Sequence, residues 1–182
     1  MNAHDALALV NSQEPEKHMV LHARQSRAIL QALAARLGKT PQEQELWGLT
    51  GLLHDLDYPQ TKDQPERHGL VTCDLLAGKL PEEALHAIAA HNGEMTGVAP
   101  VSDLDYALRC AESVTGIIQA AVLMRPTGFE GLEIKSIKKK MKDKAFARSV
   151  RRENIHECAK AGVELDEFLK LSIEAMAGVD VS

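Results

Sequence analysis

Apolar residues recur at intervals of three and four along most of this chain, and this spacing places them on one face of an α-helix. Residues 14–37 follow the pattern closely, and Gly38 is the residue type that often stands just beyond a helix end. A second helix is predicted to begin at Thr40 and Pro41, which have the chemistry of a cap and of a first helical position, and to end by Pro59. We therefore expect two adjacent helices in the first third of the chain.

The remainder of the chain shows the same period in several separate segments. Helices are predicted at residues 68–78 and 81–93, and a longer one at residues 102–124. Apolar residues nearly surround the longer helix, so we expect it to lie at the centre of the fold. From residue 133 onward the pattern predicts two or three further helices, with Gly162 separating two of them. Because no alternating stretch is long enough for a sheet, the predicted fold class is all-α.

Length and composition agree with one helical domain. The 182 residues can bury a sizeable core without disulfide or metal staples, and we expect a single domain over residues 1–182 with a helical extension at about 133–178. Hydrophobic residues make up 45% of the chain but aromatic residues only 3%, so the core must consist mainly of aliphatic side chains. We therefore expect any bound metal to have a chemical role rather than to replace a missing core.

Charge and cysteine content narrow the function classes. A net charge of -5 provides no global positive field for a nucleic-acid backbone, so nucleic acid is not an expected partner. Cys73, Cys110 and Cys158 are odd in number and widely spaced, which fits neither a disulfide framework nor a thiolate zinc site and favours a reducing cytoplasm. No apolar run approaches about 20 residues, and residues 1–11 lack the pattern of an export signal. We expect neither membrane insertion nor export.

Residue types that bind metals occur in otherwise apolar settings. His54 and Asp55 directly follow the largely apolar run 48–53 at a predicted helix end, where an unpaired buried carboxylate would be costly and a cation would remove that cost. On its own a His-Asp pair carries little information, and Asp57 could equally be a loop residue. The prediction of a site therefore depends on further histidines and a carboxylate in the neighbouring predicted helices: His22, His68, His91 and Glu112.

With these residues in place, the sequence resembles the HD-domain metal-dependent phosphohydrolases. The resemblance covers residues 17–116, and together its motifs are moderately to strongly specific. Besides the helix that carries His22, it rests on four runs: Gly51-Leu52-Leu53-His54-Asp55-Leu56-Asp57-Tyr58, Glu66-Arg67-His68-Gly69, Ala90-His91-Asn92 and Ala111-Glu112-Ser113-Val114-Thr115-Gly116.

The resemblance implies a divalent metal centre. By position, His22, His54 and Asp55 would bind a first ion. His68 and His91 would suit a second ion or a substrate phosphate, and Asp55 could bridge. Imidazole and carboxylate ligands without thiolates suit manganese, iron, zinc, nickel or cobalt, and the sequence does not choose among these metals or between one ion and two.

Two assignments within this centre have alternatives. Where the family usually carries an aspartate ligand in the central helix, this chain has Glu112, which is one methylene longer; the alternative is a buried carboxylate paired with Arg109 or another arginine. For the first ligand, His18 and His22 share a helix face. We prefer His22, because its separation from Gly38 matches the family pattern.

The function that the resemblance implies is hydrolysis of a nucleotide or another small phosphoester by metal-activated water. Asp55 and Asp57 are the predicted catalytic carboxylates, and Asp57 or Asn92 could orient the ligands. Two other functions stay open: a non-catalytic helical domain that binds a metal or a partner, and a di-iron oxygenase. The sequence does not indicate an oligomeric state.

A basic tract in the tail adds a candidate substrate-binding surface. Lys139, Lys142 and Arg148 belong to a run of nine lysines and arginines between residues 135 and 152. Such a run is most often a solvated helix face. Its functional interpretation is that these three residues steer a phosphorylated substrate towards the metal.

Overall fold

A computed structural model describes residues 1–180, and in this range the regular elements are helices. Val181 and Ser182, which the predicted domain includes, lie outside the described residues. The all-α prediction is confirmed. In chain order the helices are α1 (Ala3–Ser12), α2 (Lys17–Arg36), α3 (Pro41–Leu53), α4 (Tyr58–Thr61), α5 (Leu70–Leu76), α6 (Glu82–His91), α7 (Gly93–Thr96), α8 (Asp103–Leu123), α9 (Ile134–Lys142), α10 (Arg152–His156) and α11 (Leu165–Ala177), with a 3₁₀ turn at Glu157–Ala159.

Helices α2 and α3 form a tightly packed antiparallel pair, and this pair positions the first of the predicted metal ligands. Gly38 joins them with a φ of 71°, and Thr40 caps α3 reciprocally with Glu43, as the Thr40-Pro41 signal predicts. Deeper in the pair, Gly51 lies against the backbone of Ser26, where an added Cβ would be 2.8 Å from the carbonyl oxygen. The glycine therefore sets how closely the two helices approach.

The end of α3 differs from the prediction. The helix stops at Leu53 rather than near Pro59, which instead lies in the first turn of α4. The four residues between the helices form turns, and the Asp57 amide in this stretch donates a hydrogen bond to the Thr72 hydroxyl (3.0 Å). His54 and Asp55 therefore lie in the turn after α3 rather than within the helix.

Helix α8 occupies the centre, as its apolar pattern predicts. Its residues are buried along most of its length, and α2, α3, α6, α9, α10 and α11 all pack against it. Ser102 and Asp105 form a capping box at its start. The central helix therefore connects the metal-site helices with the C-terminal ones.

Helix α1 lies outside the predicted elements. It begins at Asn2, whose side chain accepts from the amide of Asp5 (3.0 Å), and it packs against α3 through the buried Ala6 and Val10. Ten residues with two buried apolar positions carry too weak a periodic signal to be recognised in advance.

The C-terminal helices follow the predicted pattern. Gly162, with a φ of 90°, separates the 3₁₀ turn from α11, which packs against α2 and α8. The single domain over residues 1–182 stays a prediction. None of the described helices is both long and apolar enough to span a bilayer.

Candidate metal centre

Four histidines surround the carboxylate of Asp55. Its Oδ2 lies 3.4 Å from Nε2 of His22, and its Oδ1 lies 3.2 Å from Nε2 of both His54 and His68 and 3.6 Å from Nε2 of His91. The histidines come from α2, from the end of α3, from the loop before α5 and from the end of α6. The structure thus brings together five of the six predicted metal ligands.

The ligand atoms form two groups that share Asp55. One consists of His22, His54 and Asp55, and the other of Asp55, His68 and His91. Within each group the two imidazole Nε2 atoms lie 3.1 Å apart. Two ligands that each lie about 2.1 Å from one ion are separated by roughly 3.0 Å to 3.4 Å at angles between 90° and tetrahedral, so these atoms fit divalent cations.

Hydrogen bonds orient the rings of the first group. The Nδ1 of His54 donates to the carbonyl of Gly51 (2.8 Å). The Nδ1 of His22 donates to the hydroxyl of Thr115 (2.8 Å), whose own hydrogen goes to the carbonyl of Glu112 (2.6 Å). Because each ring carries its proton on Nδ1, both Nε2 lone pairs point towards the carboxylate.

The electrostatics of the first group favour a cation. Burial lowers the pKa of His54 to about 3 and also lowers the pKa of His22, and Asp55 opposes this only in part. Burial alone would raise the pKa of Asp55, but the surrounding imidazoles hold it well below its usual range. At neutral pH two imidazole lone pairs and a carboxylate therefore face one another without a proton between them. A divalent cation relieves this repulsion.

The second group differs in its protonation. The Nδ1 of His91 donates to the carbonyl of Ile88 (2.5 Å), and burial lowers the pKa of this ring to about 4. Burial would also lower the pKa of His68, but hydrogen bonds to Asp55 and Asp57 raise it to about 10. Without a metal, the Nε2 of His68 thus holds a proton that faces Asp55 and His91.

Asp57 orients this second group from behind. It is fully buried, and its Oδ1 accepts from Nδ1 of His68 (2.8 Å) while its Oδ2 accepts from the amides of Gly69 (2.8 Å) and Thr72 (3.1 Å). Gly69 has a φ of 91°, and a Cβ there would lie 2.8 Å from the Ile88 carbonyl. Asp57 therefore positions a ligand and the start of α5.

Asn92 has a similar but weaker role. Its amide donates to the carbonyl of Pro65 (2.7 Å), which ties the loop before His68 to the end of α6. The structure therefore places Asn92 as a residue that orients the ligand loop, as we expected of either Asn92 or Asp57.

Glu112 stands apart from both ligand groups among the described residues. Its carboxylate accepts from the hydroxyl of Ser113 (2.5 Å) and from the amide of Asn154, and burial raises its pKa to about 7. Arg109, the alternative partner that we considered, directs its guanidinium to the carboxylates of Glu94 and Glu157. Glu112 lines the same cleft as the ligands, but its carboxylate is held by its neighbours on the wall.

The choice between His18 and His22 is resolved by position. The side chain of His18 is 69% exposed and lies 3.4 Å from the Glu16 carboxylate, whereas His22 contacts both His54 and Asp55. His18 lies one turn further out, at the edge of the cleft.

A cleft of about 780 Å³ opens above the ligands and contains residues that sequence reasoning missed. Gln25 and Gln119 are neighbours in its lining, and the amide of Gln25 donates a hydrogen bond to that of Gln119 (2.9 Å). They follow His22 and Thr115 by one helical turn, so the helix period could have revealed them. Ser149, Val150, Arg151 and Asn154 also line the cleft; Arg151 belongs to the basic tract, but the charge pattern alone does not distinguish it from the other basic residues.

Apart from Arg151, the basic tract lies outside the lining of this cleft. Lys139 and Lys142 line a separate depression that also contains Asp166, and Arg148 is exposed. The amphipathic α9 buries Ile137 and Met141, which turns its lysines to the surface away from the ligands. Lys139, Lys142 and Arg148 therefore do not line the cleft with the ligands, and their role in steering a phosphorylated substrate stays a prediction.

Comparison with known proteins agrees with this centre. The HD domain family model matches residues 11–123, more than half of the chain, so the chain belongs to the HD domain family. This family typically consists of metal-dependent phosphohydrolases, and the histidine and aspartate cluster described above could bind metal. A search of curated proteins and a search of solved structures each found no match.

Proposed function

We propose that this protein is a metal-dependent phosphohydrolase that acts on a nucleotide or another small phosphoester. The observation that carries the proposal is the contact between His22 and His54, whose Nε2 lone pairs lie 3.1 Å apart beside the Asp55 carboxylate. Such an arrangement of three acceptors is costly in a buried site unless a cation joins them.

The residues present fit one or two divalent ions. His22, His54 and Asp55 would hold the first ion, and Asp55, His68 and His91 the second. Nitrogen and oxygen donors without thiolates suit manganese, iron, zinc, nickel or cobalt. When bound, such ions supply Lewis acidity, which lowers the pKa of a water molecule and polarises phosphoryl oxygens.

The protein's own residues supply orientation and shape. Carbonyl groups of Gly51 and Ile88 hold the rings of His54 and His91, and Asp57 holds that of His68. The ligands are therefore positioned before a metal binds, which reduces the reorganisation that binding requires. The cleft volume of about 780 Å³ accommodates a ligand of nucleotide size.

The test replaces ligands one at a time. We expect Asp55→Ala and His54→Ala to lose both metal and phosphoester hydrolysis, measured by elemental analysis and by turnover on a panel of phosphoesters. His4→Ala is the matched control, because His4 is an exposed histidine on α1 and outside the cleft. Full hydrolytic activity in the metal-free protein would refute the proposal.

A second candidate function is a non-catalytic metal-binding domain. It is favoured by Glu112, which stands outside both ligand groups at the position where the resemblance leads us to expect an aspartate ligand. Stoichiometric metal together with no turnover on any phosphoester of the panel would select this function.

A further inference from the structure

The cleft wall carries more acidic than basic side chains. Among the described residues that line the cleft, Arg151 is the single lysine or arginine, whereas Asp55, Glu94 and Glu112 are carboxylates. An anionic substrate therefore meets one permanent positive charge outside the metal ligands. This charge comes from the segment that follows α9.

That segment has a defined conformation, because the guanidinium of Arg152 organises it. The Arg152 side chain donates hydrogen bonds to backbone carbonyl oxygens at several positions within about a dozen residues. The loop over residues 143–150 is therefore folded around this side chain. The acceptors are the carbonyl oxygens of Met141 (3.2 Å), Asp143 (3.0 Å), Phe146, Ala147 (3.2 Å) and Val150 (2.8 Å).

The chain on either side of Arg151 is anchored to the central helix α8. Val150 packs against Gly116, where an added Cβ would lie 2.6 Å from the valine Cγ2. Asn154, which is buried, accepts from the guanidinium of Arg109 (3.0 Å). The backbone between these two anchors carries Arg151, so its position over the cleft is set by packing rather than by its own side chain.

The guanidinium of Arg151 is oriented but only partly engaged. Its Nη1 lies 2.8 Å from Oε2 of Glu94, and Glu94 is itself held by two hydrogen bonds from Arg109 (2.5 Å and 3.2 Å). The Arg151 side chain is 45% exposed, so N–H groups other than the one at Glu94 stay accessible. A guanidinium with free parallel N–H groups is suited to bind two oxygens of a phosphate.

We propose that the end of this loop, residues 149–151, forms a substrate-binding element and that Arg151 binds the phosphoryl oxygens of the substrate. This inference deepens the proposed function and rests on it for the identity of the anion. The element lies beyond residue 123, where the match to the HD domain family ends.

The experiment compares Arg151→Ala with Lys144→Ala in the full chain loaded with manganese. Both variants lose one positive charge from the same loop, but Lys144 is exposed and lies outside the lining of the cleft. Binding of inorganic phosphate is measured by calorimetry, and KM and kcat are measured with p-nitrophenyl phosphate. We expect Arg151→Ala to weaken phosphate binding and raise KM by about 10- to 100-fold, the usual effect of removing a charge-assisted hydrogen bond pair, with a smaller change in kcat.

The controls separate this inference from the proposed function. Lys144→Ala should stay within about twofold of the wild type, and Arg151→Lys should recover part of the affinity because it retains the charge but not the paired donors. If the wild type hydrolyses phosphoesters and Arg151→Ala binds phosphate as the wild type does, the role of Arg151 is refuted and the proposed function stands. If the wild type hydrolyses none but Arg151→Ala still weakens phosphate binding, the role stands and the proposed function fails.

Discussion

The buried carboxylate of Asp57 accepts a 2.8 Å hydrogen bond from Nδ1 of His68, and the opposite nitrogen of the same ring lies 3.2 Å from Asp55. A single imidazole is thus held between two aspartates. This contact raises the pKa of His68 to about 10, whereas burial lowers the pKa of His54 to about 3. The two ligand groups therefore respond differently to pH.

The first prediction concerns the pH dependence of metal binding. A metal must displace the proton of His68, so affinity at the second group should rise about tenfold per pH unit as pH increases towards the folded pKa of about 10. At the first group the pKa of His54 is about 3 and burial also lowers that of His22, so affinity should change less between pH 6 and pH 8 than at the second group. Calorimetric metal titrations at pH 6, 7 and 8 measure both. Equal slopes for the two groups would contradict this assignment of protons.

The second prediction tests Asp57 as a residue that orients His68. Asp57→Asn removes a buried charge that accepts from His68, Gly69 and Thr72, so we expect a loss of about 3 kcal/mol in the free energy of unfolding of the metal-free protein. Affinity at the second group should fall by about 10- to 100-fold. Denaturant unfolding and metal titration provide the measurements. Asp63→Asn, in the exposed loop, is the control and should leave both unchanged.

The third prediction separates Glu112 from the ligands. Because its carboxylate is engaged by Ser113 and Asn154, Glu112→Gln should retain the wild-type number of metal ions per chain. Asp55→Asn, which alters the carboxylate shared by both groups, should lose them. Elemental analysis after gel filtration compares the two variants. Loss of one metal equivalent in Glu112→Gln would instead make Glu112 a ligand.

The fourth prediction concerns the approach of α2 and α3. In Gly51→Ala the new Cβ would lie 2.8 Å from the rigid carbonyl of Ser26, so the helices must separate and the protein should lose about 1–3 kcal/mol of stability. Metal affinity at the first group should also fall, because His22 and His54 lie on opposite helices of this pair.

In Gly48→Ala, the matched control on the same helix, the new Cβ meets only the flexible side chain of Gln31. Its stability should stay within about 1 kcal/mol of the wild type, since alanine also favours the helix. A similar loss in both variants would argue against the close approach at Gly51.

Several parts of the fold were predictable because they depend on local chemistry. The caps at Thr40 and Ser102 and the glycine stop at Gly38 are determined by neighbouring residues, and all three lie where the sequence indicates. Helix α1 was missed because it has only two buried residues, which are buried by its packing against α3. The early end of α3 was also missed; the turn that follows it carries Asp57, whose amide donates to the Thr72 hydroxyl fifteen residues away, a contact that no local pattern indicates.

For the metal centre, the sequence by itself determined the kinds of ligand and their distribution over separate helices. Residue type together with the resemblance to the HD-domain family was enough to indicate His22, His54, Asp55, His68 and His91. The tertiary structure alone decided which side chains share the cleft, because this depends on how helices distant in the sequence pack. Packing placed Lys139 and Lys142 outside the cleft, and it placed Arg151 of the same basic tract in the cleft lining.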